Sequence, residues 1–176
     1  PEQVEQLLHR QVDKNAPQEV LAVGLPASPG AGVGMLVFSA DEAEAWAHEG
    51  KSVVLARPET CPDDIHGLFA SAAVVTSRGG MTSHAAVVAR GMGKPAVCGC
   101  EEVEIDLEAE TLTSRGRTLK KGDTVTVDGS SGRVLLGEAP LIEATFSEDF
   151  KKLLGWADEA AEQEVWANAD TPEDAR

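Results

Sequence analysis

The chain has 176 residues, 42 % hydrophobic and 26 % charged, and its 15 basic against 30 acidic side chains leave a formal charge of −15. That apolar share excludes a disordered polyelectrolyte, and the acidity argues against a general nucleic-acid binder, which needs a basic face. No apolar run approaches the roughly 18–20 residues that a bilayer needs, so no membrane span is expected, and no basic-then-apolar start marks a secretory signal. The length suits one domain of ordinary size with a tail. Because the chain opens on Pro1 and stops at Arg176, we expect a piece of a longer protein. Three cysteines, Cys61, Cys98 and Cys100, are an odd number that fits a reducing, cytoplasmic setting better than a disulfide scaffold.

In chain order, Val4, Leu7, Leu8 and Val12 share one face at a 3.6-residue period and predict a helix, ended by Asn15 and Pro17. Residues 24–34 hold four glycines and two prolines and read as irregular. Residues 35–38 read as a strand, residues 41–48 as a helix stopped by Gly50, and residues 53–56 as a strand. Residues 62–70 predict a helix, with Pro62 tolerated in the first turn and Asp63 and Asp64 facing its positive start. A strand at 72–76, an alanine-rich helix at 82–91 and a strand at 95–98 follow.

The pattern then changes. Residues 111–113 and 118–119 flank a polar turn, residues 124–127 alternate at period two, and residues 128–132 turn into a return strand at 133–136. So αβ units come first and short antiparallel strands follow. Beyond Pro140, the residues Phe146, Phe150, Leu153, Leu154, Ala157 and Ala161 mark a further helix with one apolar face.

Acidic residues are spread along the chain, yet residues 65–100 contain none, while Arg78, Arg90 and Lys94 give that window a charge of +3. Its centre reads Thr76-Ser77-Arg78-Gly79-Gly80-Met81-Thr82-Ser83-His84-Ala85-Ala86. This predicts a strand, a Gly-Gly loop and a helix start. Helix starts offer unpaired N–H groups and a positive dipole end. Gly79 and Gly80 allow close backbone approach. Thr82 and Ser83 supply hydroxyls and an N-cap. The pattern points to an anion, most plausibly a phosphate. His84 falls in the first helical turn, where positive potential disfavours imidazolium. A neutral imidazole is a nucleophile, and the same dipole stabilises a phosphoryl group once attached. A capping or packed histidine is the plainer alternative, and spacing alone leaves both open.

Residues 79–94, Gly-Gly-Met-Thr-Ser-His-Ala-Ala-Val-Val-Ala-Arg-Gly-Met-Gly-Lys, closely resemble the phosphohistidine signature of the pyruvate, phosphate dikinases. Residues 23–31 resemble the opening of that family's central domain, Gly122-Asp123 and residues 128–132 its closing hairpins, and residues 168–175 the start of its C-terminal barrel. Phosphoenolpyruvate synthase and Enzyme I of the sugar phosphotransferase system usually carry arginine where this chain has Met81. The resemblance implies a three-layer β/β/α swivelling phosphohistidine domain of the α/β class, flanked by linker helices. Residues 1–19 would be the linker from a nucleotide-binding domain, residues 20–140 the carrier, and residues 141–176 the linker and start of a phosphoenolpyruvate/pyruvate-binding barrel.

By the same resemblance, His84 takes a phosphoryl group at the nucleotide-binding domain and hands it to pyruvate at the barrel. The overall reaction is ATP + pyruvate + phosphate giving AMP, phosphoenolpyruvate and pyrophosphate, with Mg²⁺ bound outside this domain. Gly79, Gly80, Thr82 and Ser83 would hold the phosphate, and Thr82 matches a threonine that plant members phosphorylate for regulation. The family normally has an arginine gripping the phosphate of phosphoenolpyruvate where this chain has Trp166, whose indole cannot form bidentate charged contacts. The alternatives are the equivalent domain of phosphoenolpyruvate synthase and a non-catalytic anion-binding or interaction module. Without neighbouring domains, the apolar linker faces are expected to pack on this domain or to form a homodimer.

Other signals carry less. Residues 30–34 lack the spacing of a dinucleotide loop. Cys98 and Cys100 have no partner pair for zinc and read as small buried residues, and no metal ligands are assigned. His9 and His48 read as solvated, and His66 as packed or capping. Ser83 and His84 project about 100° apart on a helix, which rules out a nucleophile–base pair. The six acids of residues 101–110 read as a solvated edge.

Overall fold

The computed structural model describes residues 9–13, 15–142 and 148–160. The chain divides into two units, Pro1–Ala144 and Thr145–Arg176. In the first, β1 (Gln11–Val12), β2 (Val20–Val23), β3 (Leu25–Ser28) and β4 (Ala31–Val37) precede α1 (Ala40–His48). With α1, the next elements form three αβ units: β5 (Val53–Arg57), α2 (Ile65–Ala70), β6 (Ala73–Thr76), α3 (His84–Gly91) and β7 (Ala96–Cys98). The remaining strands are β8 (Glu104–Asp106), β9 (Thr111–Ser114), β10 (Arg117–Lys120), β11 (Thr124–Asp128), β12 (Arg133–Leu136) and β13 (Leu141–Ile142).

Eight strands form one mixed sheet in the order β2-β12-β11-β4-β5-β6-β7-β3. β4 to β7 run parallel, as short helical crossovers require, and the others pair antiparallel. β2 and β3 occupy opposite ends of that order yet are separated in sequence by Gly24 alone, so the sheet must curl until its two edges adjoin. β8, β9 and β10 make a separate antiparallel sheet.

Strand alternation divides the core. Val54, Ala56, Ala73, Val75 and Val97 face one way and pack with Val103 and Leu112, against which Ile105 and Leu119 of the small sheet also rest. Val53, Leu55, Val74, Ala96 and Cys98 face the other way, toward Ala43, Leu68, Ala85, Ala86 and Ala89 of the helices. The alanines of α3 are the reason a short helix can lie this close to the sheet.

The helix and strand expectations between residues 35 and 98 hold in kind and mostly within two residues; the exceptions are the strand expected at 35–38, which begins at Ala31, and the helix expected at 62–70, whose residues 62–64 form a 3₁₀ turn ahead of α2. Elsewhere the structure differs. Residues 24–34 are not irregular: they are mostly the strands β3 and β4. Their glycines serve close packing instead of turning. A Cβ on Gly32 would stand 2.5 Å from the Ala72 carbonyl oxygen, and one on Gly34 would stand 2.7 Å from the Val53 backbone. The helix predicted through Val12 does not reach that residue, because Gln11 and Val12 pair with Ile142 and Leu141. Residues 1–8, which carry the rest of that prediction, lie outside the described residues. The acidic run at 101–110 contributes β8, whose Ile105 turns inward with Val103 just before it, while most of the run's carboxylates stay in solvent.

In the second unit, α4 (Glu148–Ala160) forms where the apolar periodicity placed a helix. Leu154 and Trp156 on it are exposed. Phe146, Ala161 and Trp166 lie outside the described residues. Among the described residues, no helix is long and apolar enough to cross a membrane.

Cys98 and Cys100 are buried, as their surroundings in sequence implied, and Cys61 is exposed. Burial first, then Cys98 and Glu102, push the Cys100 thiol from 9.0 up to about 12. The folded chain therefore keeps a proton that the unfolded chain releases above pH 9.0. Stability should be full below that pH and fall steadily as pH rises toward 12. Urea midpoints at pH 8, 9.5 and 10.5 check this, and a Cys100→Ala variant should show a shallower decline.

Candidate functional site

The loop between β6 and α3 leaves the carboxyl end of a parallel strand, where open α/β sheets commonly bind ligands. Its first part is pinned to the sheet. Ser77 N and Arg78 N donate to the carbonyls of Arg57 and Pro58 at 3.3 and 2.9 Å, and the Thr76 hydroxyl donates to Arg78 O at 2.7 Å. Gly79 has φ +99°, a conformation that side chains rarely adopt, and an added Cβ there would lie 2.9 Å from Ser83 Cβ. Gly99 closes in from behind: a Cβ on it would lie 2.6 Å from the Gly79 carbonyl oxygen.

Ser83 N donates to Gly80 O at 3.0 Å, so Met81 and Thr82 occupy the corner of a tight turn. The helix starts at His84, two residues later than predicted, because Ser83 takes the N-cap: its φ is −64° and ψ 159°, and its hydroxyl accepts from Ala86 N. Thr82 is exposed in the turn and is not a cap. The predicted residues Gly79, Gly80, Thr82, Ser83 and His84 thus lie in one continuous turn and helix start.

Among the described residues, the backbone N–H groups of Gly79, Gly80, Met81, Thr82, His84 and Ala85 donate to no acceptor in the fold. Unpaired amides at a helix start and in the turn before it are the usual means of holding an anion without a cation. His84 is half-buried, and its Nε2 is buried without a hydrogen-bond partner. An unpaired buried nitrogen costs about 1–3 kcal/mol, so this ring is not positioned by a bond that it makes in the free chain.

The charge asymmetry of the sequence survives in three dimensions. Arg78 is exposed and, among the described residues, forms no ion pair. It lines an open cleft with Ser77, Glu101 and Glu104. Lys94 donates to Ser71 O at 2.8 Å, and desolvation lowers its pKa. Arg90 Nη2 donates to Ala27 O at 2.9 Å and to Met81 O at 3.3 Å, with Nε also on Ala27 O at 3.3 Å. Both latter cations meet carbonyls, and among the described residues neither forms an ion pair with a carboxylate. Sequence reasoning counted Arg90 as charge and missed it as a clamp. Its position seven residues after Ser83, two turns along the same helix face, was the available signal.

The other singled-out groups stay apart from this loop. His66 Nε2 meets Asp41 Oδ1 at 2.9 Å, which ties α2 to the start of α1, and His48 is exposed at the end of α1. Among the described residues, no group of three or more histidine, cysteine or acidic side chains is placed to hold a metal ion.

The family described as PEP-utilising enzyme, mobile domain, matches residues 49–132, a stretch that contains the whole loop and α3. The chain is 51 % identical over 176 residues to pyruvate, phosphate dikinase of Rhizobium meliloti, covering all of this chain and 20 % of that protein. It is 52 % identical to the dikinase of Rickettsia conorii, covering 99 % of this chain and 20 % of that one. Against the chloroplastic dikinase of Mesembryanthemum crystallinum it is 49 % identical, covering 99 % and 19 %. The chain therefore spans about a fifth of the length of these relatives. Among solved structures, an NMR structure of Enzyme I overlaps 64 % of this chain and 38 % of its own, with a TM-score of 0.35 and 25 % identity. The mobile-domain match and the half-identical relatives agree: the chain belongs to the family described as PEP-utilising enzyme, mobile domain.

Proposed function

We propose that this chain is the phosphohistidine carrier of a pyruvate, phosphate dikinase, with residues 20–140 as the swivelling domain. The observation that carries the reading is His84, its Nε2 unpartnered, opening α3 directly behind a turn of unpaired amides. The lone pair of a ring nitrogen attacks phosphorus, an N–P bond forms, and the P–O bond to the leaving oxygen breaks. The reverse step delivers the group to pyruvate. Gly79 and Gly80 give the phosphoryl oxygens access to backbone N–H, and the Thr82 and Ser83 hydroxyls add donors. A phosphate on the exposed Thr82 would set like charge two residues from the acceptor and block transfer.

The two core faces, helices on one side of the large sheet and the small sheet on the other, suit a β/β/α carrier that moves as a body. Its partners would be nucleotide-binding and phosphoenolpyruvate/pyruvate-binding domains of the same polypeptide, with a second copy as a further partner. ATP and Mg²⁺ would bind in those other domains. Two buried thiols suit a cytoplasmic setting.

The test mixes the chain with a pyruvate, phosphate dikinase relative whose own acceptor histidine has been replaced, and supplies phosphoenolpyruvate labelled in its phosphoryl group. Acid-labile, base-stable label should appear on the chain and map to residue 84 by mass spectrometry. An unlabelled chain, beside a relative shown to label its own intact carrier domain, leaves the anion-binding module as the reading.

A further inference from the structure

We infer that Arg90 is a positioning residue for the acceptor loop, acting through the Met81–Thr82 peptide plane. The role rests on the carrier reading of His84. Arg90 lies in the last turn of α3 and reaches back along the helix to the loop that precedes it. Its guanidinium grips two carbonyls at once, Ala27 O on β3 and Met81 O in the turn. A planar fork with several fixed donors can span two such acceptors, which an ammonium cannot do with the same geometry.

The consequence follows from peptide geometry. Across a trans peptide bond, the carbonyl of one residue and the N–H of the next point in opposite directions. No peptide bond among the described residues is cis. With Met81 O held toward Arg90, the Thr82 N–H must point away from the guanidinium. That N–H is one of those without an acceptor in the fold. Met81 and Thr82 are the corner residues of the turn closed by Ser83 N on Gly80 O, and corner peptides of such turns flip readily between two orientations. A flip would exchange a donor for a carbonyl oxygen in the cradle, placing a negative dipole where a phosphoryl oxygen has to sit. Arg90 opposes the flip and anchors the turn to β3. Among the described residues its hydrogen bonds go to carbonyls and none to a carboxylate.

The experiment compares the parent chain with its Arg90→Lys and Arg90→Gln variants in the labelling assay above, in single turnover and across donor concentration. Losing one aligned donor of this kind slows transfer about 100-fold or more, and a flip that is only partly released should cost about 10- to 100-fold. We expect Arg90→Gln to lose that much in the limiting rate, with the half-saturating concentration of donor within about twofold of the parent's. Arg90→Lys should recover only part of the loss, because it keeps the charge but grips one carbonyl. The Thr82 amide resonance should shift in both variants. Equal rates in the parent and Arg90→Gln, or a fully parental rate in Arg90→Lys, would overturn the role. So would a loss residing wholly in the half-saturating concentration, which would make Arg90 a docking residue. If the glutamine variant melts early, the lysine variant and its Thr82 resonance decide. A parent chain that takes no label removes the carrier reading and this role together, whereas a labelled parent beside unaffected variants removes this role alone.

Discussion

On the proposed carrier reading, we expect replacing His84 by glutamine to abolish phosphoryl acceptance and to leave the fold intact. Covalent transfer through a side chain fails outright when the nucleophile is removed, and losses of at least about 1,000-fold are the rule for such groups. No neighbour can substitute. Thr82 and Ser83 offer hydroxyls without an adjacent base, and a serine followed directly by the histidine of the same helix cannot use it as one. The fold should tolerate the change. His84 is half-buried at the first helical position, and its Nε2 makes no hydrogen bond that glutamine would forfeit. The N-cap belongs to Ser83 and is untouched. We expect stability within about 1 kcal/mol of the parent. Thermal melting beside the labelling assay checks both halves. Label on the variant at the parental level would move the acceptor to another residue, with His9, His48 and His66 as the remaining histidines.

The second large effect is expected at Gly79, where a change to alanine should cost both stability and transfer. At φ +99° an L-residue is strained by about 1–2 kcal/mol. Its Cβ would also press on Ser83 Cβ at 2.9 Å, an atom with no freedom to swing away. The loop cannot retreat, because Gly99 packs against the Gly79 carbonyl from the other side. The relief available is to push Ser83 out of the N-cap, a loss of about 1 kcal/mol. The sum is about 2–3 kcal/mol, readable as a lower urea midpoint with an unchanged slope. Transfer should fall about 100-fold or more, since moving the cap moves the amides and the ring together. Gly80 provides the control. A Cβ there meets nothing within 4 Å, and alanine at that position should cost little stability.

The αβ half of the molecule was readable because its signals are local. A helix start such as Ser83-His84 or an apolar run such as residues 53–56 announces itself within a few residues. The glycine loop and helix start between β6 and α3 were readable for the same reason, with Gly79, Gly80 and Ser83 adjacent in sequence and adjacent in space. What escaped depends on distant partners. Gly32 and Gly34 look like turn residues until Ala72 and Val53 are seen against them. β8 hides in an acidic run because only its Ile105, with Val103 just before it, faces the core. Gln11 and Val12 fit a helical period and become a strand only because β13 is there to pair with them. Arg90 was visible as a charge, but its acceptors, Ala27 and Met81, lie 63 and nine residues away.

The pairing of β1 with β13 has a mechanical consequence. Gln11 pairs with Ile142, Val12 with Leu141, and Asp13 N donates to Pro140 O at 2.9 Å. The two ends of the ribbon point the same way, so tension drawn through residues 10 and 143 would peel these rungs apart one at a time. Peeling needs far less force than sliding strands lengthwise, where all rungs resist together. The next pair to feel the load is also set to peel, since β2 and β12 meet at Val20 and Leu135. A pulled domain would therefore unravel from this ribbon and the β2 side, while α3 and its glycine loop bear strain late. Under load the ribbon would be the first part of the fold to give way.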